Sequence, residues 1–140
     1  MYIGSVMRKQ ALTHTNNGFF SLTYHMVLVT KWRQPVLTGP MIDMARSITA
    51  ARCAARSGEL LEFGGEEDHL HLLFSLPPVA ALADFANALK TSTSRLLRRD
   101  FPALKRQGPA LWSPSYFVCS CGGACLKTVK RYVQAQERPE

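Results

Sequence analysis

The sequence predicts an α+β fold: a split β-α-β-β-α-β arrangement (ferredoxin-like), with an antiparallel sheet, helices on one face and a further C-terminal helix that carries a tyrosine. Three observations lead there. Four runs rich in β-branched, aromatic or leucine residues are each bounded by Gly, Pro or acidic turn residues. Two longer stretches repeat apolar residues at helical spacing. Two of the strand runs follow one another across a Gly-Gly and acidic turn, as a hairpin requires, while helical stretches separate the others.

Residues 1–18 include Arg8, Lys9, His14, Asn16 and Asn17, and read as a flexible N-terminal arm before a single domain over 19–140. Phe19 to Arg33 reads as one long strand, stopped by Pro35 and the Thr38-Gly39-Pro40 cluster. Met41 to Ser57 is a helix with its stripe through Met41, Met44, Ala45, Ile48 and Ala55, and Gly58 suits its C-terminal cap. Glu59 to Phe63 is a short strand, and Gly64-Gly65 with Glu66-Glu67-Asp68 reads as the turn of a hairpin. The run His69-Leu70-His71-Leu72-Leu73-Phe74-Ser75-Leu76 is its second strand, ended by Pro77-Pro78. Ala80 to Asp100 is the clearest helix, with Leu82, Phe85, Ala86, Leu89, Leu96 and Leu97 on one side. Tyr116 to Ser120 is the fourth strand. Gly122-Gly123 gives a flexible joint before a last helix from about Ala124 to Glu137.

A chain of 140 residues that is 46% hydrophobic and 19% charged is long and apolar enough to bury one core. Lys and Arg number 17 against 10 acids, a net charge of +7, which favours an anionic partner, nucleic acid above all. No apolar run approaches the roughly 20 residues of a membrane span, and the N-terminus lacks the apolar stretch of a signal peptide. The expected location is the cytoplasm, with Cys53, Cys119, Cys121 and Cys125 reduced. The C-x-C-x3-C spacing of the last three does not match paired zinc knuckles, and Cys119 and Cys121, on one face of a strand, can pack as small hydrophobes.

Two features carry chemistry. His69 and His71 are two apart in a strand, so both imidazoles leave the same face side by side. Two neutral ring nitrogens in that position can converge on one divalent cation. On the terminal helix, Tyr132 and Gln136 are four apart and share a face, so a phenol and an amide can address one site together.

Taken with their surroundings, these pieces resemble the single-tyrosine HUH transposases of small bacterial insertion sequences, the insertion-sequence-200/605 type. The matching segments are Tyr24-His25-Met26-Val27 with Thr30-Lys31-Trp32-Arg33, Asp68-His69-Leu70-His71-Leu72-Leu73 with Pro77-Pro78, and Leu89-Lys90 with Ser94-Arg95. Leu111-Trp112-Ser113-Pro114-Ser115-Tyr116-Phe117 and Val129-Lys130-Arg131-Tyr132 with Gln136 complete them. The departures are Glu66-Glu67 before Asp68, where a proline is common, Thr91 where a glycine often follows the lysine, and the three late cysteines.

The resemblance implies an enzyme that cleaves and rejoins single-stranded DNA at hairpin-bearing element ends. By position, Tyr132 matches the nucleophile that becomes linked to DNA, and His69, His71 and Gln136 match the ligands of Mg²⁺ or Mn²⁺. It further implies a homodimer in which each site takes Tyr132 from the partner chain. The Gly122-Gly123 joint and the cost of exposing a long apolar strand edge over Phe19–Arg33 point the same way. Lys31, Arg33, Arg46, Arg52, Lys90, Arg95, Arg98 and Arg99 are the expected phosphate contacts. Trp32 and Phe117 are expected in the core, with stacking on unpaired bases as their alternative use. The competing readings are a repeat-associated or relaxase-like HUH nuclease and a non-catalytic, transposase-derived nucleic-acid-binding protein. A two-histidine phosphoesterase would need a second His-x-Thr/Ser pair, which the sequence lacks.

Overall fold

The computed structural model describes the backbone of residues 13–15 and 18–20 and, with side chains, residues 22–120 and 131–136. A small hairpin pairs β1 (Thr13–Thr15) with β2 (Gly18–Phe20). The main sheet contains β3 (Thr23–Val29), β4 (Glu59–Glu66), β5 (His69–Ser75) and β6 (Phe117–Ser120) in the order β4-β5-β3-β6. Every neighbouring pair in it is antiparallel, as the split β-α-β-β-α-β order requires. Helices α1 (Gly39–Ala54) and α2 (Leu82–Asp100) cross over between the strands and pack on one face.

Strand alternation divides the sheet into two unlike faces. Met26, Leu28, Leu70, Leu72 and Phe74 point toward the helices and meet Met41, Ala45, Phe85, Leu89 and Leu97 in one core. Phe74 stacks on Phe85 with ring centroids 4.6 Å apart. Burial of each such side chain contributes about 1.5–3 kcal/mol. The intervening residues, His25, Val27 and Val29 on β3 and His69 and His71 on β5, leave by the opposite face. There Val27 and Val29 form a second apolar cluster with Phe117, Cys119, Tyr132 and Val133.

Several local expectations change. The long strand over Phe19–Arg33 is divided: β2 turns away to pair with β1, β3 begins at Thr23, and Lys31–Arg33 form a 3-10 turn. β-Branched and aromatic content reports extended preference but not where a strand changes partner. β3 is also an interior strand, between β5 and β6, so it presents no open edge. Gly64 and Gly65 are not turn residues; they lie within β4, opposite His71 and Leu70, and the turn is at Glu67-Asp68. A Cβ on Gly64 would come 2.4 Å from the His71 ring, which is why that position has no side chain. At the end of α1, Ser57 takes the left-handed position (φ 60°), and the Gly58 N–H donates to Cys53 O. Gly58 itself is needed because a Cβ there would lie 2.2 Å from Ser75 O.

Trp32 is half exposed rather than in the core, whereas Phe117 is partly buried as expected. Cys53 is a free thiol in the core, and burial raises its pKa to about 12. Cys119 is disulfide-bonded rather than reduced. Residues 131–135 are helical, and Gln136 follows at a bend. The Gly122-Gly123 joint, Cys121, Cys125, the start of the last helix and residues 1–12 of the arm lie outside the described residues.

Candidate active site

The two histidines of β5 stand side by side on the sheet face away from the helices, with ring centroids 5.9 Å apart. His69 Nδ1–H donates to Asp68 Oδ1 at 2.9 Å, which orients the ring and leaves Nε2 for a ligand. Asp68 is buried, and its other oxygen accepts from Arg33 Nε at 3.3 Å. Its carbonyl accepts from the Thr30 N–H and the Thr30 hydroxyl. Arg33 is thus a partner of the carboxylate that orients His69, a task the sequence reading did not assign it.

His71 lies over Gly64, between His69 and a third imidazole, His25, whose centroid is 6.4 Å away. Burial, with smaller contributions from His69 and His25, lowers the His71 pKa to about 4. Burial alone lowers His25 to about 4. Both imidazoles are neutral near pH 7, the form that can ligate a metal. The sequence reading did not single out His25 for the site. Its signal was parity, since His25 shares a face with Val27 and Val29, which pair with His71 and His69.

Two imidazoles ligated at about 2.1 Å to one cation at octahedral or tetrahedral angles have centroids roughly 4.5–5.5 Å apart. The His69 and His71 rings, at 5.9 Å, stand slightly wider than a shared ion requires and would close by a small ring rotation to hold one. Among the described residues no three His, Cys, Asp or Glu side chains converge on a common point. An amide oxygen such as that of Gln136 is chemically suitable as a third ligand.

Tyr132 and Gln136 are brought to this face through one short segment, Ser113-Pro114-Ser115. Tyr132 packs on Val27, Val29 and Phe117, its ring centroid 5.4 Å from that of Phe117. Val27 pairs with His71 on one side and Phe117 on the other, so the tyrosine sits one strand over from the histidines. The hydroxyls of Tyr132 and Ser115 are 2.9 Å apart. Ser113 Oγ donates to Gln136 Oε1 at 3.3 Å, and the Ser113 N–H donates to Val29 O at 2.8 Å.

The segment is anchored from α2. Lys90 Nζ donates to the carbonyls of Ser113 and Pro114 at 2.9 and 3.0 Å, and the Trp112 indole N–H donates to Thr93 Oγ1 at 2.8 Å. Nothing in the spacing of Ser113 and Ser115 marks them for this role. No periodicity links Ser113 to Gln136 across 23 positions.

The expected phosphate contacts separate by what they already hold. Arg33 is tied to Asp68, Lys90 to the Ser113 segment, and Arg98 to the carbonyls of Gly108 and Pro109. Arg46 pairs with Asp43, and Arg99 with Asp100. Arg95 lines an open groove of about 620 Å³ together with Lys90, Ser94, Arg98 and Lys105. Arg52 and Arg95 line a second one, between α1 and α2. Arg46 and Arg52 belong to the helical layer, across the sheet from the histidines. Lys31 alone of the eight borders the groove that contains Gln136.

Residues 18–136 match the family model described as "Transposase IS200 like". The chain is 31% identical over 123 residues to the ISDra2 transposase TnpA of Deinococcus radiodurans, covering 86% of this chain and 88% of that protein. It is 27% identical over 130 residues to the transposase for insertion sequence element IS200 of Salmonella typhimurium, covering 91% and 83%. A crystal structure of a transposase from Deinococcus radiodurans R1 superposes with a TM-score of 0.83 at 28% identity, over 91% of this chain and all of that one. The fold is also that of a REP-associated tyrosine transposase solved with a REP hairpin, at a TM-score of 0.53 and 14% identity over 82% and 64% of the two chains.

Proposed function

We propose that this chain, which belongs to the IS200-like transposase family, cleaves and rejoins single-stranded DNA at hairpin-bearing element ends through a covalent phosphotyrosine. The observation that carries the reading is the placement of Tyr132 over the sheet face that presents His69 and His71.

The phenol oxygen of Tyr132 attacks the scissile phosphorus. One P–O bond forms to the tyrosine and one breaks to the 3′ oxygen. The phenol loses one proton and the departing 3′ oxygen gains one. Attack by that 3′-hydroxyl reverses the exchange, so strands rejoin without an external energy source. The free phenol has a pKa of about 10, so it needs a hydrogen-bond partner as it ionises. Ser115 offers that partner in the resting site. His69, His71 and Gln136 would hold Mg²⁺ or Mn²⁺, which when bound polarises the phosphoryl group and offsets its charge. Asp68 keeps the His69 ring in the ligating tautomer.

The partner is single-stranded DNA bearing a hairpin, in keeping with the net charge of +7 and with the hairpin in the similarly folded REP-associated protein. A cytoplasmic enzyme is the matching location; no helix among the described residues is long and apolar enough to cross a membrane. The working unit is a homodimer that exchanges the tyrosine helix. In the single chain Tyr132 lies on its own sheet, and exchange would deliver the partner's tyrosine to the equivalent place.

The test is a covalent-adduct gel: wild-type protein with labelled hairpin-bearing single strands and Mg²⁺ or Mn²⁺ should give a protein–DNA band that denaturant does not remove. A protein that binds such strands but never forms the band would be the non-catalytic, transposase-derived binder instead.

A further inference from the structure

Trp32 occupies a position that its side chain makes costly. It has φ 61° and Arg33 has φ 53°, two consecutive non-glycine residues in the left-handed region. For a bulky residue this is rare and unfavourable, and it persists only where the surroundings enforce it. Here they do: the Lys31 N–H donates to Leu111 O, the Arg33 N–H to Thr30 O and the Thr30 hydroxyl to Gln34 O. The Arg33 side chain is fixed by Asp68. That ion pair explains Arg33. Among the described residues no apolar cluster receives Trp32, which is 50% exposed while the chain's other tryptophan, Trp112, is 5% exposed.

The exposed ring borders a groove of about 330 Å³ lined also by Lys31, Ser113, Pro114, Ala135 and Gln136. This volume is at the small end of ligand-sized clefts, with room for about one nucleotide and none for a duplex. The lining combines an aromatic face, a cation, a proline and an amide, and the Lys31 ammonium lies 6.0 Å from the indole centroid. An aromatic platform beside a cation is the chemistry that binds an unpaired base and its phosphate.

We propose that Trp32 is a stacking platform for one unpaired nucleobase of the DNA strand, held in this groove beside Gln136, with Lys31 contacting the adjoining phosphate. The proposal rests on the DNA-cutting reading for its ligand. It adds a binding position at the edge of the site, reached by the same segment that carries Ser113.

Trp32→Asn removes the ring with a residue that tolerates left-handed backbone, and Trp32→Tyr keeps an aromatic face. The probes are short unstructured single-stranded oligonucleotides, intact or with one abasic position moved along the strand. Wild-type tryptophan fluorescence should be quenched on titration, because the buried Trp112 reports little. Trp32→Asn should bind intact strands about tenfold more weakly, and Trp32→Tyr within about threefold of wild type.

One abasic position should weaken wild-type binding and leave Trp32→Asn nearly unaffected. Equal affinities for wild type and Trp32→Asn, or an identical abasic profile in both, would overturn the platform. So would a change of oligomeric state in Trp32→Asn with DNA binding intact, which would make the indole an interface between chains. These readouts need no cutting: a wild type that never forms the covalent adduct defeats the enzymatic reading, while the titrations still decide the platform.

Discussion

The hydroxyl of Ser115 lies 2.9 Å from the phenol oxygen of Tyr132, at the end of a segment that Lys90 fastens by two carbonyls. The candidate nucleophile is therefore not a loose surface tyrosine. Tyr132→Phe should abolish the covalent adduct and leave DNA affinity within about twofold, because affinity rests on phosphate contacts. Ser115→Ala should slow adduct formation several-fold, the scale of one hydrogen bond at about 1 kcal/mol. Undiminished cutting by Tyr132→Phe would remove the assignment.

Gly64→Ala tests the seat of the second histidine. The new methyl would lie 2.4 Å from His71 Cε1 and 2.9 Å from Nε2, so the imidazole must move. We expect a destabilisation of about 1–3 kcal/mol, as for other overpacked sites, and a weaker Mn²⁺ affinity measured by calorimetry. Asp68→Asn should weaken the same affinity about tenfold or more through His69. Metal binding unchanged in both variants would disconnect these residues from the cation.

Acid should destabilise the fold before it reaches the carboxylates. His25 and His71 are held near 4 by burial, against about 6.5 in the unfolded chain. Between those values the unfolded chain binds more protons, so the contribution is complete above pH 6.5 and is lost progressively as pH falls toward 4. The melting temperature of the metal-free protein should drop over that window, and His25→Gln should flatten part of the slope. A melting temperature constant from pH 7 to 5 would contradict the burial of these rings.

Salt should weaken hairpin binding steeply, since each neutralised phosphate releases counterions. The structure separates two arginines for this experiment. Arg95→Ala should lower the salt slope by about one with little loss of stability. Arg98→Ala should cost stability instead, because its guanidinium already holds the carbonyls of Gly108 and Pro109. Equal behaviour of the two would show that the groove does not take DNA.

Mixing decides whose tyrosine serves which site. Neither His69→Ala nor Tyr132→Phe protein should cut alone. If the helix is exchanged, a heterodimer of the two holds one intact site and should recover up to about half the wild-type activity per dimer. Heterodimers without recovered cutting would assign Tyr132 to its own chain, the arrangement in which it packs on Val27 and Val29.

The sequence by itself determined which residues share a face. Alternation along His69-Leu70-His71-Leu72 put both imidazoles on one side, because strand geometry alone imposes that period. The order of strands and helices was legible for the same reason, in runs and turn residues. The helical step from Tyr132 to Gln136 does not reach its second residue: the helix ends at 135, and Ser113 holds the Gln136 amide at the bend that follows. Tertiary structure decided what those faces meet. That Gly64 sits under His71, that His25 joins the histidine row and that Ser113 and Ser115 reach the terminal helix depend on chain reversals far apart in sequence. It also decided the fate of the charges and of Trp32. Composition counts cations without saying which carbonyl or carboxylate each one holds. No local preference would set a tryptophan in a left-handed turn; the contacts that fix its neighbours, from Leu111 to Lys31 and from Asp68 and Thr30 to Arg33, hold the backbone there.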